Sequence, residues 1–267
     1  MPPASRSRAR TYDRLKSRAA LRAQAEAIRT VVGGLDDAQL ALPTRLDSWT
    51  VRELVAHLAT ALDALPRFLA ASDDGQPVTT IADWASGTAG AADAVGEDAL
   101  ERAAAGGDVR QALAQAVEEA RAVLDADHGP ATRVTHRRGA MLLDDYLVTR
   151  LVETVVHADD LADAIQMDAF PHDRHALASA CRVLADALAM KAPGGAVELR
   201  IPPFAVVQCV EGPRHTRGTP PNVVETTPLP WIRLATGRLT WANALDVAEL
   251  TASGERSDLS SLLPVMA

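Results

Sequence analysis

Cysteine is nearly missing from this chain. Cys181 and Cys209 are the two present in 267 residues, too few for a disulfide scaffold and in keeping with a reducing compartment. Lysine is equally rare, with Lys16 and Lys191 alone, so arginine makes up the other 25 of the 27 basic residues. We read no binding signal into that bias. Positive charge is not in excess either: 35 acidic against 27 basic residues leave a net charge of −8, a field that disfavours a phosphate backbone, so nucleic acid is not an expected partner. No stretch approaches the about 18 uninterrupted apolar residues that a membrane span needs. The arginines at Arg6, Arg8 and Arg10 have no apolar run behind them, so a secretory leader is not expected and the cytoplasm is the expected compartment. Aromatics contribute only 3% of the residues. What remains is 48% apolar and 23% charged, enough to build one large core or two modest ones in a globular protein. No internal repeat is visible.

The chain has two textures. From Tyr12 to about Ile165, alanine, leucine and charged residues recur at helical spacing with almost no strand-like alternation, which predicts a helical half. A first helix is expected from Tyr12 to Val32, ended by Gly33-Gly34 with a residue at positive φ. A second starts after Thr50, where Thr50 and Glu53 spell a capping box and Trp49 and Leu54 flank it as a hydrophobic staple. It should reach about Ala71, bent or ended at Pro66. Between Ser72 and Gly107 the pattern weakens to loop and broken pieces around Ile81–Ala85 and Glu97–Ala105. A third helix covers Val109 to Leu124. The fourth, Leu142 to Ile165, is apolar nearly all round and should be central in a bundle. After Phe170-Pro171 a further helix, Arg174–Met190, leads to Gly194-Gly195. Beyond it, short strands at Val197–Ile201, Ala205–Val210, Asn222–Thr226 and Glu249–Ala252 alternate with helical pieces at Leu229–Ala235, Trp241–Val247 and Asp258–Leu263. The expected class is therefore a two-domain α+β protein, with a helical bundle over residues 1–168 and a small α+β domain over 169–267.

The fourth helix carries Tyr146, Arg150, Glu153, His157 and Asp160 along one ridge. Glu153 and His157, at i and i+4, reach the same point in space. His57 lies one turn past Leu54 on the second helix. If these two helices pack side by side, two imidazoles and a carboxylate converge, a donor set that suits zinc and leaves a fourth position open. Asp160 or Tyr146 would stand behind the ligands. On spacing alone, an ordinary helix pair and a hydrogen-bonded core histidine account for the same residues.

The blocks D-S-W-T-V-R-E-L-V-A-H-L at 47–58 and D-D-Y-L-V-T-R-L-V-E-T-V-V-H-A-D-D-L at 144–161 resemble the mycothiol-dependent maleylpyruvate isomerase family. The resemblance covers the first 165 residues. It implies a DinB-like four-helix bundle, expected here in up-and-down form, with a zinc site whose ligands fall on His57, Glu153 and His157. The stretches N-V-V-E-T-T-P-L-P-W-I-R-L-A-T-G-R-L-T-W-A-N-A-L at 222–245 and T-A-S-G-E-R-S-D-L-S-S-L-L-P at 251–264 resemble the sterol carrier fold, and related isomerases share its Gly-Arg turn. That implies a role for Arg238 in binding an anionic substrate or the thiol cofactor, beside the plainer reading of an arginine paired with a surface carboxylate.

Two functions follow. One is a zinc- and mycothiol-dependent isomerase or thiol transferase acting on a small electrophile. The other is a carrier without catalysis, holding a sterol, lipid or other hydrophobic ligand in a groove lined by Trp231, Leu234, Leu239, Trp241, Leu245, Leu259 and Leu263. Remaining features read as structure: Pro202-Pro203 as a bend, Arg214 to Arg217 as a solvated turn, His128 and His136 as loop residues, Cys181 and Cys209 as core thiols, and Gly237 and Gly254 as turn glycines.

Overall fold

The structure, a computed structural model, describes residues 10–71, 75, 77–87, 100, 101, 103, 104, 106–136, 139–213 and 220–266. The expected turn Arg214 to Arg217 lies outside them, as does most of the expected piece Glu97–Ala105.

Among the described residues, the long helices of the N-terminal half are α1 (Arg14–Gly33), α3 (Val51–Ala70), α5 (Val109–Asp125) and α6 (Leu143–Ala164), with the short α2 (Asp37–Leu40) and α4 (Ile81–Ser86) between them. Asp13 caps α1 by accepting from the Lys16 amide. The glycine pair ends that helix differently from expectation, since Gly34 keeps φ near −90° and closes the turn through amide bonds to Val31 and Val32. At α3 the capping box is complete, with Thr50 and Glu53 each accepting from the other's backbone, satisfying two amides that the first turn leaves without partners. Pro66 sits inside α3 and the helix continues to Ala70.

In the bundle α3 packs between α5 and α6, and α1 packs against those same two helices from the opposite side. Helices successive in sequence, α1 and α3, or α5 and α6, therefore stand across the diagonal, which corrects the up-and-down expectation. The long connections 34–50 and 126–142 allow this. The second of them holds a feature that a purely helical reading omits: a hairpin of β1 (Arg133–His136) and β2 (Gly139–Leu142), antiparallel, with Val78 bridged to Ala140 on its outer side. His136 is thus a strand residue, not a loop residue. Four-residue strands show too little alternation to stand out from an alanine-rich background. Strand β2 runs straight into α6, which has no side-chain cap but places Asp144 and Asp145 in its first turn, where carboxylates oppose the helix dipole favourably.

As its composition suggests, α6 is buried on both apolar faces: Leu147, Leu151, Val155 and Ala158 on one, Val148, Val152 and Val156 on the other. Besides α1 and α3 it meets α7 (Arg174–Lys191). The latter helix is capped by Asp173, whose carboxylate accepts from the His175 and Ala176 amides. On its far side α7 lies on a four-stranded sheet of order β4-β3-β5-β6, built from β3 (Val197–Ile201), β4 (Ala205–Cys209), β5 (Val223–Thr226) and β6 (Leu250–Ser253). Strands β3 and β4 pair antiparallel around the cis Pro202-Pro203 bend, β3 and β5 parallel, β5 and β6 antiparallel. Helices α8 (Pro228–Ala235) and α9 (Trp241–Asp246) and a 3₁₀ turn (Ser260–Leu262) complete this part. Asp258–Leu263 is therefore a single tight turn, not a helix. Gly254, after β6, has φ of +99°, and a Cβ there would stand 2.2 Å from the Pro221 carbonyl, so only glycine fits the turn.

The groove imagined for a carrier is occupied by the domain's own side chains. Trp231, Leu234 and Leu259 are fully buried, Leu239, Trp241 and Leu263 pack on that core, and Leu245 faces outward. The Trp231 indole donates to the Cys181 carbonyl of α7, tying the core of the sheet domain to the helix that borders the bundle.

Candidate metal centre

Side-by-side packing of α3 and α6 brings His57, Glu153 and His157 together. Their donor atoms all lie within 4.8 Å of one another. His57 Nε2 is 3.6 Å and His157 Nε2 3.4 Å from the same oxygen, Glu153 Oε2. Two ligands each 2.0–2.1 Å from a tetrahedral zinc stand about 3.4 Å apart, so these two separations suit atoms that share a cation and are longer than an ordinary hydrogen bond. His57 is buried and its Nε2 has no hydrogen-bond partner among the described residues, a costly state for a core histidine and the expected one for a ligand atom. The two imidazoles meet edge to face with centroids 4.6 Å apart, and the Trp49 indole covers His57 from the other side at 5.3 Å.

The electrostatics prepare the same atoms. Burial lowers the His57 pKa and keeps its ring neutral, with a lone pair to offer. At Glu153, burial acts to raise the pKa, but the two imidazoles and the Arg150 charge outweigh it and hold the carboxylate well below its usual range. Burial likewise opposes protonation of His157, and the flanking carboxylates Asp160 and Glu153 overcome it and raise the pKa.

Behind His157 stands Asp160, wholly buried one turn further along α6. His157 Nδ1 donates to Asp160 Oδ2 at 2.9 Å, which leaves Nε2 directed at Glu153. Tyr146, the other residue considered for that position, has a hydroxyl with no hydrogen-bond partner among the described residues. Asp160 is itself held from two sides. Arg45, in the loop before α3, donates Nε to Oδ1 at 2.7 Å; Arg238, just past α8, donates Nε to Oδ1 at 3.2 Å and Nη2 to Oδ2 at 3.1 Å. The remaining end of Arg238 donates to the Thr236 carbonyl at 2.7 Å. Arg238 therefore reaches the centre through a buried carboxylate of α6, where the sequence left open either an anion or a surface carboxylate.

Sequence reasoning passed over the rest of this cluster. Asp159, next to Asp160, accepts from Arg45 Nη2 at 2.5 Å and from both Arg233 Nε and Nη2, at 2.8 and 2.7 Å. Adjacent acids near the C-terminal end of a buried helix, where the dipole repels them, are a signal that cations must approach from elsewhere. Which arginines these are cannot be read locally, since Arg45 comes from the loop before α3 and Arg233 and Arg238 from the end of α8 and the turn after it. His128, by contrast, caps its own neighbourhood, with Nε2 3.0 Å from the Val123 carbonyl.

A helical bundle with a buried His-Glu-His donor set, joined through α7 to a small α+β domain, defines the class of protein. The chain belongs to the mycothiol maleylpyruvate isomerase N-terminal domain family, whose model matches residues 21–162, and residues 173–265 match the model of a bacterial sterol carrier protein ortholog. It is thereby a member of an enzyme family, that of a thiol-dependent isomerase. A crystal structure of a histidine-to-alanine mutant of the mycothiol-dependent maleylpyruvate isomerase superposes with a TM-score of 0.59 at 16% identity, covering 92% of this chain and 95% of that one. A second structure of that isomerase gives 0.56 at 18%, with the same coverage. At such identity the likeness is one of fold. No curated protein matches the sequence.

Proposed function

We propose that this protein is a metal-dependent and low-molecular-weight-thiol-dependent isomerase or thiol transferase for a small electrophile, with residues 1–168 as the bundle that carries the centre and 169–267 as the sterol-carrier-like domain. His57, Glu153 and His157 are its metal ligands, zinc is the cation that two neutral imidazoles and a carboxylate suit, and mycothiol is the thiol. The observation that carries this reading is the buried, unpartnered His57 Nε2 at ligand spacing from Glu153 and His157. A divalent cation there, with a thiol at its fourth position, would supply a thiolate able to add to an activated double bond, allow rotation and leave again.

The chain's own residues prepare that chemistry. Asp160 fixes the His157 tautomer, so that Nε2 is the atom presented. Arg45 and Arg238 hold Asp160 charged and in place. Trp49 closes one side of His57 to water. Arg238 also brings the second domain to the centre, and we assign it there as a charge partner of Asp160 that orients the site. No cysteine of the chain competes for the role of nucleophile, since burial pushes Cys181 up to about 12 and Cys209 up to about 11.

The test is metal analysis of untagged protein beside His57→Ala and Glu153→Ala, followed by an assay of zinc-loaded protein with mycothiol and maleylpyruvate. One zinc per chain in the wild type, loss in both variants, and turnover abolished in His157→Ala are expected. Equal metal content in all three proteins would overturn the assignment of the ligands.

A further inference from the structure

The two carboxylate oxygens of Glu153 have different neighbours. Both imidazoles face Oε2, with His57 Nε2 at 3.6 Å and His157 Nε2 at 3.4 Å. Oε1 faces a cation instead, since Arg150 Nη2 stands 3.8 Å from it, an ion pair beyond hydrogen-bond range. Arg150 precedes Glu153 by three residues on α6, a spacing at which helix side chains meet, so the helix itself brings the guanidinium to that oxygen. The two side chains are 12% and 19% exposed, a depth at which solvent screens a charge pair little. Among the described residues, Glu153 is the one carboxylate that Arg150 approaches. The next acids along the helix, Asp159 and Asp160, are taken by Arg45, Arg233 and Arg238.

Neutral groups hold Arg150 in this place. Its Nε donates to Thr149 Oγ1 at 3.2 Å, and that buried hydroxyl donates in turn to the Tyr146 carbonyl at 2.7 Å. The guanidinium lies over the Tyr146 ring, with Cζ 4.8 Å from the centroid. Phe68 and His136 pack on the same ring, with centroids 5.9 and 6.3 Å away. These contacts fix the guanidinium without neutralising it, so its charge acts on Glu153.

A carboxylate meets a divalent cation through one oxygen or through both. Through both, Glu153 and the two imidazoles would already supply four donors and leave no tetrahedral position free. Through one, they supply three and leave the fourth open. Here a cation shared by both oxygens would move toward the guanidinium, charge against like charge in a partly buried place. We propose that Arg150 is a positioning residue of this centre, which withholds Glu153 Oε1 from the cation and so keeps the fourth position open for the thiol. The proposal deepens the metal- and thiol-dependent reading above and rests on it. The same charge opposes the cation directly, so Arg150 weakens metal binding while keeping the centre open.

Cobalt(II) is the probe in place of zinc, because its visible d–d bands are intense in a four-coordinate site and severalfold weaker at higher coordination. The full chain is loaded with cobalt as the wild type, Arg150→Met, Arg150→Gln and Arg150→Lys, and zinc affinity is measured in each by competition with a chromogenic chelator. Intense bands are expected in the wild type. They should fall severalfold in Arg150→Met and Arg150→Gln, where Glu153 is free to use both oxygens, and return in large part in Arg150→Lys, which restores the charge. Zinc should bind the two neutral variants more tightly than the wild type, the opposite of what loss of a merely supporting side chain would do. Circular dichroism reports whether each variant folds, and either neutral variant suffices if the other does not. Weak bands already in the wild type, undiminished bands in the neutral variants, or weaker zinc binding by them would overturn the role of Arg150. The two readings fail separately. A wild type that takes neither cobalt nor zinc removes the metal reading and this role with it, whereas four-coordinate cobalt indifferent to residue 150 removes this role alone.

Discussion

His157 and Asp160 are joined by a 2.9 Å hydrogen bond from imidazole Nδ1 to carboxylate Oδ2. Both lie on α6, three residues apart, so the bond is set by the helix itself. Asp160 is wholly buried and stays charged because His157 donates to it and Arg238 and Arg45 reach it from outside the helix. The orientation of His157 is thereby tied to two segments distant in sequence.

Asp160→Asn should lower zinc affinity by about 10- to 100-fold while leaving the helical circular dichroism unchanged, since partners behind metal-bound histidines contribute on that scale. Competition with a chromogenic chelator measures it. An unchanged dissociation constant would show that His157 needs no such partner.

The neighbouring pair, Asp159 with Arg233, holds the sheet domain to the bundle. Asp159 is 4% and Arg233 32% exposed at the side chain, and two hydrogen bonds join them. Asp159→Ala should cost about 2 kcal/mol in urea unfolding, and the double-mutant cycle with Arg233→Ala should give a coupling of about 1–2 kcal/mol. A coupling near zero would mean that this pair does not hold the two parts together.

Neither thiol of the chain should react while it is folded. Cys181 and Cys209 are fully buried with raised pKa values, and the thiolate is the reactive form. Ellman's reagent at pH 8 should titrate no thiol in the native protein and two per chain in guanidinium. A thiol that reacts rapidly in the native state would contradict the packing of α7 on the sheet.

His172 introduces acid sensitivity. Burial lowers its pKa to about 4, and Gln24 Nε2 lies 3.1 Å from its Nδ1, a contact suited to the neutral ring. Unfolded, the residue titrates near about 6.5. Above that pH both states are neutral and His172 carries no penalty. As pH falls from about 6.5 toward 4 the unfolded chain binds the proton first, so stability is lost, by up to about 3 kcal/mol. The wild type should lose this increment between pH 7 and pH 4.5 in urea titrations, and His172→Gln should lose correspondingly less. Parallel pH curves for the two proteins would rule the effect out.

Much of the architecture is local and was legible in the sequence. The capping box at Thr50 and Glu53 works through four consecutive residues, so α3 begins where those residues say it does. Strand β3 occupies Val197–Ile201 as its apolar run suggests, and the near-continuous apolar surface of α6 announced its central place. The ridge on α6 is likewise a matter of helical repeat, and the repeat alone brings Glu153 and His157 to one point. Other features had no local cause. Nothing in residues 133–142 exceeds the strand signal of an ordinary loop, and the hairpin forms because the segment 77–80 and α6 hold it. That His57 meets Glu153 depends on α3 and α6 being neighbours, a matter of which apolar faces pack, and the diagonal placement of α1 and α3 was settled by the same packing. The encirclement of Asp159 and Asp160 was decided by tertiary structure alone. A buried carboxylate requires cations, but the requirement is met by whichever arginines the fold delivers, and here they come from a loop before α3 and from the two sides of the turn that follows α8.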